Sequence, residues 1–140
     1  TFSTCFGAPF LPLNPGVYAK LLGEFVQKHR VNVWLLNTGW IGGPYGVGER
    51  ISLPHTRAII RAILTGKMNS VEFQPHSYFG FMIPKTCPEV PSEVLDPIQT
   101  WRKPQEYHQF VCQLVSGFIN NFRQFEDIAD VSVKEAGPHF

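Results

Sequence analysis

Cysteine is scarce in this chain, and its placement excludes more than its number does. Cys5, Cys87 and Cys112 are odd in number and far apart, with no C-x-x-C pair. A disulfide framework, a zinc knuckle and a dithiol redox motif all need closer or paired spacing, so an intracellular, reduced protein is the expectation. Excess charge is also missing. Twelve Lys and Arg stand against eleven Asp and Glu, a net charge of +1, which leaves no strong field to attract nucleic acid or an anionic membrane. No stretch of eighteen apolar residues occurs, so nothing in the sequence reads as a membrane span. The first ten residues are apolar and aromatic but have no basic leader, and Pro9, Pro12 and Pro15 interrupt them before a signal helix could form. The five histidines (His29, His55, His76, His108, His139) include no H-x-H or H-x-x-x-H pair, so no metal site is expected from this chain. The expectation is a cytoplasmic protein with neither nucleic acid nor membrane as partner.

What is present is apolar content sufficient for one cored unit: 44% hydrophobic side chains in 140 residues. The chain opens on Thr1, which hints at an excised or processed piece. Residues 1 to 14 are too rich in proline and aromatics for a helix and read as an ordered loop. Asn14-Pro15 then supplies a capping acceptor and a first-turn proline. A helix is expected to about Arg30, with Val17, Leu21, Phe25 and Val26 on one face. Val31 to Leu36 reads as a buried strand. The loop 37–49 follows, holding five of the twelve glycines. Pro54 opens a second helix, to about residue 65, with Ala58, Ile59, Ala62 and Ile63 inward and Gly66 at its end. Strands are expected at 71–73 and 78–83. A proline-rich stretch from 84 to 103 carries one short helical turn at 92–95, and a long helix spans 104–122. The apolar stripe of that helix, Val111, Leu114, Val115, Phe118, Ile119 and Phe122, should dock on the sheet.

Two segments invite a functional reading. Glycine lets backbone amides approach an anion or a ring, but the 37–49 loop contains neither G-x-x-x-x-G-K-[ST] nor a full dinucleotide fingerprint. On pattern alone it is a hairpin or a connection. Between that loop and the second helix lies Arg50-Ile51-Ser52-Leu53-Pro54-His55-Thr56-Arg57. A guanidinium can stack on a purine and a threonine hydroxyl near a helix start can reach a base. The ordinary reading of the same residues is an Arg in a surface ion pair and a Thr capping its own helix. No acidic residue stands out as a catalytic acid or base, and Cys5, more often a small buried hydrophobe than a reactive thiol, is assigned no role.

Several ordered stretches resemble the family of ATP-dependent phosphoenolpyruvate carboxykinases: residues 1–10, Leu36-Asn37-Thr38-Gly39-Trp40, Gly48-Glu49-Arg50-Ile51-Ser52-Leu53 and Thr56-Arg57-Ala58-Ile59-Ile60. Further along come Ile83-Pro84, Pro91-Ser92-Glu93-Val94-Leu95-Asp96-Pro97 and Ala136-Gly137-Pro138. The matches span essentially the whole chain, and the longer insertion 42–48 resembles that of one subgroup of the family. The resemblance implies an enzyme that converts oxaloacetate and ATP to phosphoenolpyruvate, CO2 and ADP, in gluconeogenesis, with magnesium and manganese ions. By position it implies that Arg50 and Ile51 contact adenine, that Thr56 completes the adenine end of the site, and that Phe10 lies close by. The family's phosphate loop, metal ligands and substrate arginines belong upstream of this segment, so no catalytic residue is assigned here. The Arg-Ile-Ser-Leu and Thr-Arg-Ala-Ile matches point away from the GTP-using branch.

The expectation is therefore an α/β chain, a mixed sheet with flanking helices, with residues 1–140 forming the C-terminal part of a larger mononucleotide-binding domain. Its partners would be ATP, oxaloacetate and the N-terminal remainder of the enzyme. The alternative is a noncatalytic interaction domain that keeps the fold.

Overall fold

A computed structural model describes residues 7–140, so residues 1–6, with Cys5 and most of the first matching stretch, lie outside the described part. The chain divides into two compact units: one of residues up to 36 together with 117–137, the other of residues 37–116 together with 138–140.

In the first unit a 3-10 turn at Ala8–Phe10 precedes helix α1, Pro15–His29. The helix starts as its sequence dictates: the Asn14 side chain accepts from the Gly16 N–H at 2.9 Å, beside a first-turn proline. It stops at Arg30, whose left-handed backbone (φ 50°) ends the helical path. The apolar face forms but is not covered, since Val17, Leu21 and Phe25 are each about half exposed. Residues 31–36 form no strand. The reading of that run as a buried strand is corrected: Val33 and Leu35 are exposed, at 62% and 77%. β-branched composition favours an extended chain, but a strand exists only where a neighbour accepts its ladder, and no described segment does so. The last turns of α5 (Pro104–Phe122), a 3-10 run at Arg123–Ile128 and α6 (Val131–Glu135) complete this unit. None of its described residues is buried.

The second unit holds every buried side chain among the described residues. Strand β1 (Trp40–Ile41) pairs antiparallel with β2 (Glu49–Arg50), and β3 (Phe73–Pro75) pairs antiparallel with β4 (Met82–Pro84). The α/β character is as expected, but one mixed sheet is replaced by two separate two-stranded ribbons. The second ribbon forms two residues later than its composition suggests at the β3 end, and Tyr78 to Phe81 go into the turn, where Gly80 takes φ 65°. Helix α2, Leu53–Leu64, is capped by Ser52, whose hydroxyl accepts from the His55 N–H at 3.4 Å, and it ends before Gly66 at φ 73°. Its inward residues are Thr56, Ala58, Ile59 and Ala62. Short helices α3 (Ser92–Leu95) and α4 (Pro97–Thr100) interrupt the proline-rich stretch.

Helix α5 covers its expected range but buries a narrower stripe, Tyr107, Val111 and Val115, while Leu114 remains 46% exposed. Met68, in the 3-10 turn Lys67–Ser70, and Val115 are the largest side chains fully withdrawn from water. Each such burial is worth about 1.5–3 kcal/mol.

Candidate functional site

The Gly-rich loop resolves into the turn of a hairpin. Trp40 lies opposite Arg50 and Ile41 opposite Glu49, and the Ile51 N–H donates to the Gly39 carbonyl at 3.0 Å, extending the ladder by one bond. Side chains alternate across a ribbon, so Trp40 and Arg50 share one face and Ile51 takes the other. Arg50 is exposed and Ile51 is 9% exposed, while Glu49, on the Ile51 face, is exposed as well. The turn closes on itself through the N–H groups of Val47 and Gly48, both donated to the Pro44 carbonyl. Tyr45 packs edge-on against Trp40 with ring centroids 5.3 Å apart.

Thr56 follows in the first turn of α2, its N–H donated to the Ser52 carbonyl at 3.0 Å, and it is buried. Neither ordinary reading of these residues is seen among the described residues. Ser52 caps the helix instead of Thr56, and among the described residues Arg50 joins none of the ion pairs, which are Arg61–Glu89, Lys85–Glu72 and Lys103–Glu106. An exposed guanidinium with no ion pair among the described residues thus stands six positions before a buried threonine at a helix start. Phe10, the remaining predicted site residue, belongs to the other unit and is 85% exposed.

A family model described as phosphoenolpyruvate carboxykinase matches residues 1–93. The chain belongs to the phosphoenolpyruvate carboxykinase family. Its relatives include phosphoenolpyruvate carboxykinase (ATP) 1 of Moorella thermoacetica, 55% identical over 98% of this chain. Another is the ATP-named carboxykinase of Thermus thermophilus, 49% identical over 99% of the chain. The chain spans about a quarter of the length of these relatives, 26% of each.

Among the described residues, no group of three or more His, Cys, Asp or Glu side chains is placed to hold a metal ion. No helix there is long and apolar enough to cross a membrane. Cys87 and Cys112 are free thiols, and burial, helped by Glu89, pushes the Cys87 thiol up, away from the reactive thiolate.

Sequence spacing scattered the histidines, yet the fold brings two of them to one small cavity of about 100 Å³ between the β3–β4 turn and α5. His76 Nε2 lies 2.8 Å from the Tyr107 hydroxyl, and His108 Nδ1 lies 2.7 Å from the Tyr78 hydroxyl. His76 Nδ1 accepts from the Tyr78 N–H at 3.3 Å. The neutral ring therefore carries its proton on Nε2 and donates it to Tyr107. Burial holds His76 below the ordinary imidazole value, with Asp96 opposing, while burial, then Asp96 and Tyr78, push Tyr107 up to about 12.

A base whose folded value is depressed contributes stability that is present above its unfolded value, about 6.5, and lost as pH falls through the folded one. Protonated His76 would also turn an N–H toward the Tyr78 N–H. The melting temperature of the full-length protein should therefore fall as the pH drops below about 6.5, and His76→Gln should flatten that part of the profile. An identical slope in the variant would show that His76 does not carry it.

Proposed function

We propose that this chain is the C-terminal part of the nucleotide-binding domain of a cytoplasmic, ATP-dependent phosphoenolpyruvate carboxykinase and completes the adenine end of its ATP site. The observation that carries the reading is the exposed Arg50 guanidinium, without an ion pair among the described residues, close in sequence to the buried Thr56 of α2. A planar cation lying on a purine gains both stacking and electrostatic attraction. Ile51 follows Arg50 in the proposed site, and Thr56 would add a hydroxyl. The names of the relatives support ATP as the nucleotide.

In this reading the full-length enzyme converts oxaloacetate and ATP to phosphoenolpyruvate, CO2 and ADP in gluconeogenesis. Magnesium and manganese ions are held by the N-terminal remainder, as is the triphosphate. Phosphoryl transfer depends on a phosphate cradle and on positive charge at the transferring group. This sequence supplies no phosphate loop. The purified 140-residue chain should accordingly turn over no oxaloacetate with ATP, while the full-length protein does. Product formation by the isolated chain above a no-protein control would overturn the division of labour. The adenine assignment is tested separately, by the KM for ATP of full-length Arg50→Ala, and an unchanged KM would sink it.

A further inference from the structure

A two-stranded ribbon of two residue pairs is too short to hold its own orientation in water. The Arg50 hairpin nevertheless has a fixed place in its unit, and the contact that fixes its turn end comes from far along the chain. The Gly42 N–H, directly after β1, donates to Thr100 Oγ1 at 3.0 Å across 58 residues of sequence. Thr100 is the last residue of α4, and its own hydroxyl proton goes to the Pro97 carbonyl at 2.8 Å. A hydroxyl has one proton and two lone pairs. With the proton committed to Pro97, a lone pair is left aimed at Gly42, so the hydroxyl is oriented before the hairpin arrives.

Gly42 is shaped for this approach. Its φ of 75° suits glycine, and a Cβ there would stand 3.1 Å from the Thr100 carbonyl oxygen. At its other end the ribbon's own ladder closes with the bond from the Ile51 N–H to the Gly39 carbonyl. Arg50 lies between the Gly42 anchor and that closing bond, opposite Trp40.

We propose that Thr100 is a positioning residue for Arg50: through Gly42 it fixes the hairpin that presents the guanidinium to the purine of ATP. The inference rests on the adenine reading of Arg50 and extends the site to a residue outside every matching motif. Thr100 does not touch the nucleotide. Its loss lets the ribbon swing, so Arg50 reaches the base less often, and the effect falls on nucleotide binding.

The test is steady-state kinetics of the full-length protein with ATP varied, for Thr100→Val, Thr100→Ser, Arg50→Ala and the Arg50→Ala/Thr100→Val double variant. Losing one neutral hydrogen bond predicts a roughly two- to tenfold rise in KM for ATP in Thr100→Val. The kcat should stay within about twofold, and Thr100→Ser, which keeps the hydroxyl, should restore the KM. In the Arg50→Ala background the valine should add almost nothing, because the positioned group is gone. If Arg50→Ala raises the KM and Thr100→Val does not, this inference fails and the adenine reading stands. If Arg50→Ala leaves the KM unchanged, the reading itself fails and takes the inference with it. Equal losses in both Thr100 variants, or full additivity in the double variant, would make Thr100 an ordinary structural residue and overturn the proposal. Should Thr100→Val not fold, Thr100→Ala carries the same comparison.

Discussion

Full-length Arg50→Ala is expected to raise the KM for ATP by roughly five- to thirtyfold, the scale of losing a cation–π contact of about 1–2 kcal/mol. The contact is made equally in the ground state and the transition state, because adenine takes no part in bond making. Its loss therefore weakens binding more than turnover, and kcat should change little. Metal dependence should stay where it is. Lysine at this position should rescue only in part, since a compact ammonium cannot lie flat on a ring. A guanidinium engaged in a screened surface pair would give almost no kinetic change, but the ion pairs among the described residues leave Arg50 out. Steady-state kinetics with ATP varied and oxaloacetate saturating decides the matter.

The parts of this fold that could be read in advance are those whose signals are local. Asn14-Pro15, Pro54 and Pro104 announce helix starts through capping or a missing N–H, and α1, α2 and α5 begin within a residue or two of where those signals put them. Gly66 likewise ends α2 for a local reason, its positive φ. What failed depended on partners. The run Val31 to Leu36 has strand composition, but composition names no neighbour to pair with. α5 carries a wide apolar stripe of which only Tyr107, Val111 and Val115 are buried. Periodicity shows which face can be buried and leaves open what covers it.

The candidate site divides in the same way. Arg50, Ile51 and Thr56 were visible because a family motif runs through them. Trp40 stood in a matching stretch but gained meaning only from its register opposite Arg50. Two-residue strands are too short for any alternation to be seen. The Thr100 contact and the His76–Tyr107 pair had no sequence signal at all, since they join residues 58 and 31 positions apart.

The hairpin's turn should be the least tolerant point of the site, and Gly48→Ala is the substitution that exposes this. A Cβ at Gly48 would overlap the carbonyl oxygens of Ile41 and Gly43 and lie 2.8 Å from the Gly43 nitrogen. All three are backbone atoms, so no side chain can rotate away to make room. Either the turn opens or the ribbon shifts, and overpacking of this kind costs about 1–3 kcal/mol. The Gly48 N–H bond to Pro44 and the Ile41–Glu49 pairing adjoin the clash, so the disturbance passes directly to Arg50. Full-length Gly48→Ala should therefore lower the melting temperature and raise the KM for ATP at least as much as Thr100→Val. Gly23→Ala is the control, because Gly23 lies inside α1 with nothing within 4 Å of the added carbon. Alanine favours a helix over glycine by about 0.8–1 kcal/mol, so Gly23→Ala should hold or raise the melting temperature and leave the KM alone. A Gly48→Ala enzyme with the wild-type KM for ATP would mean that the hairpin's geometry does not govern nucleotide binding.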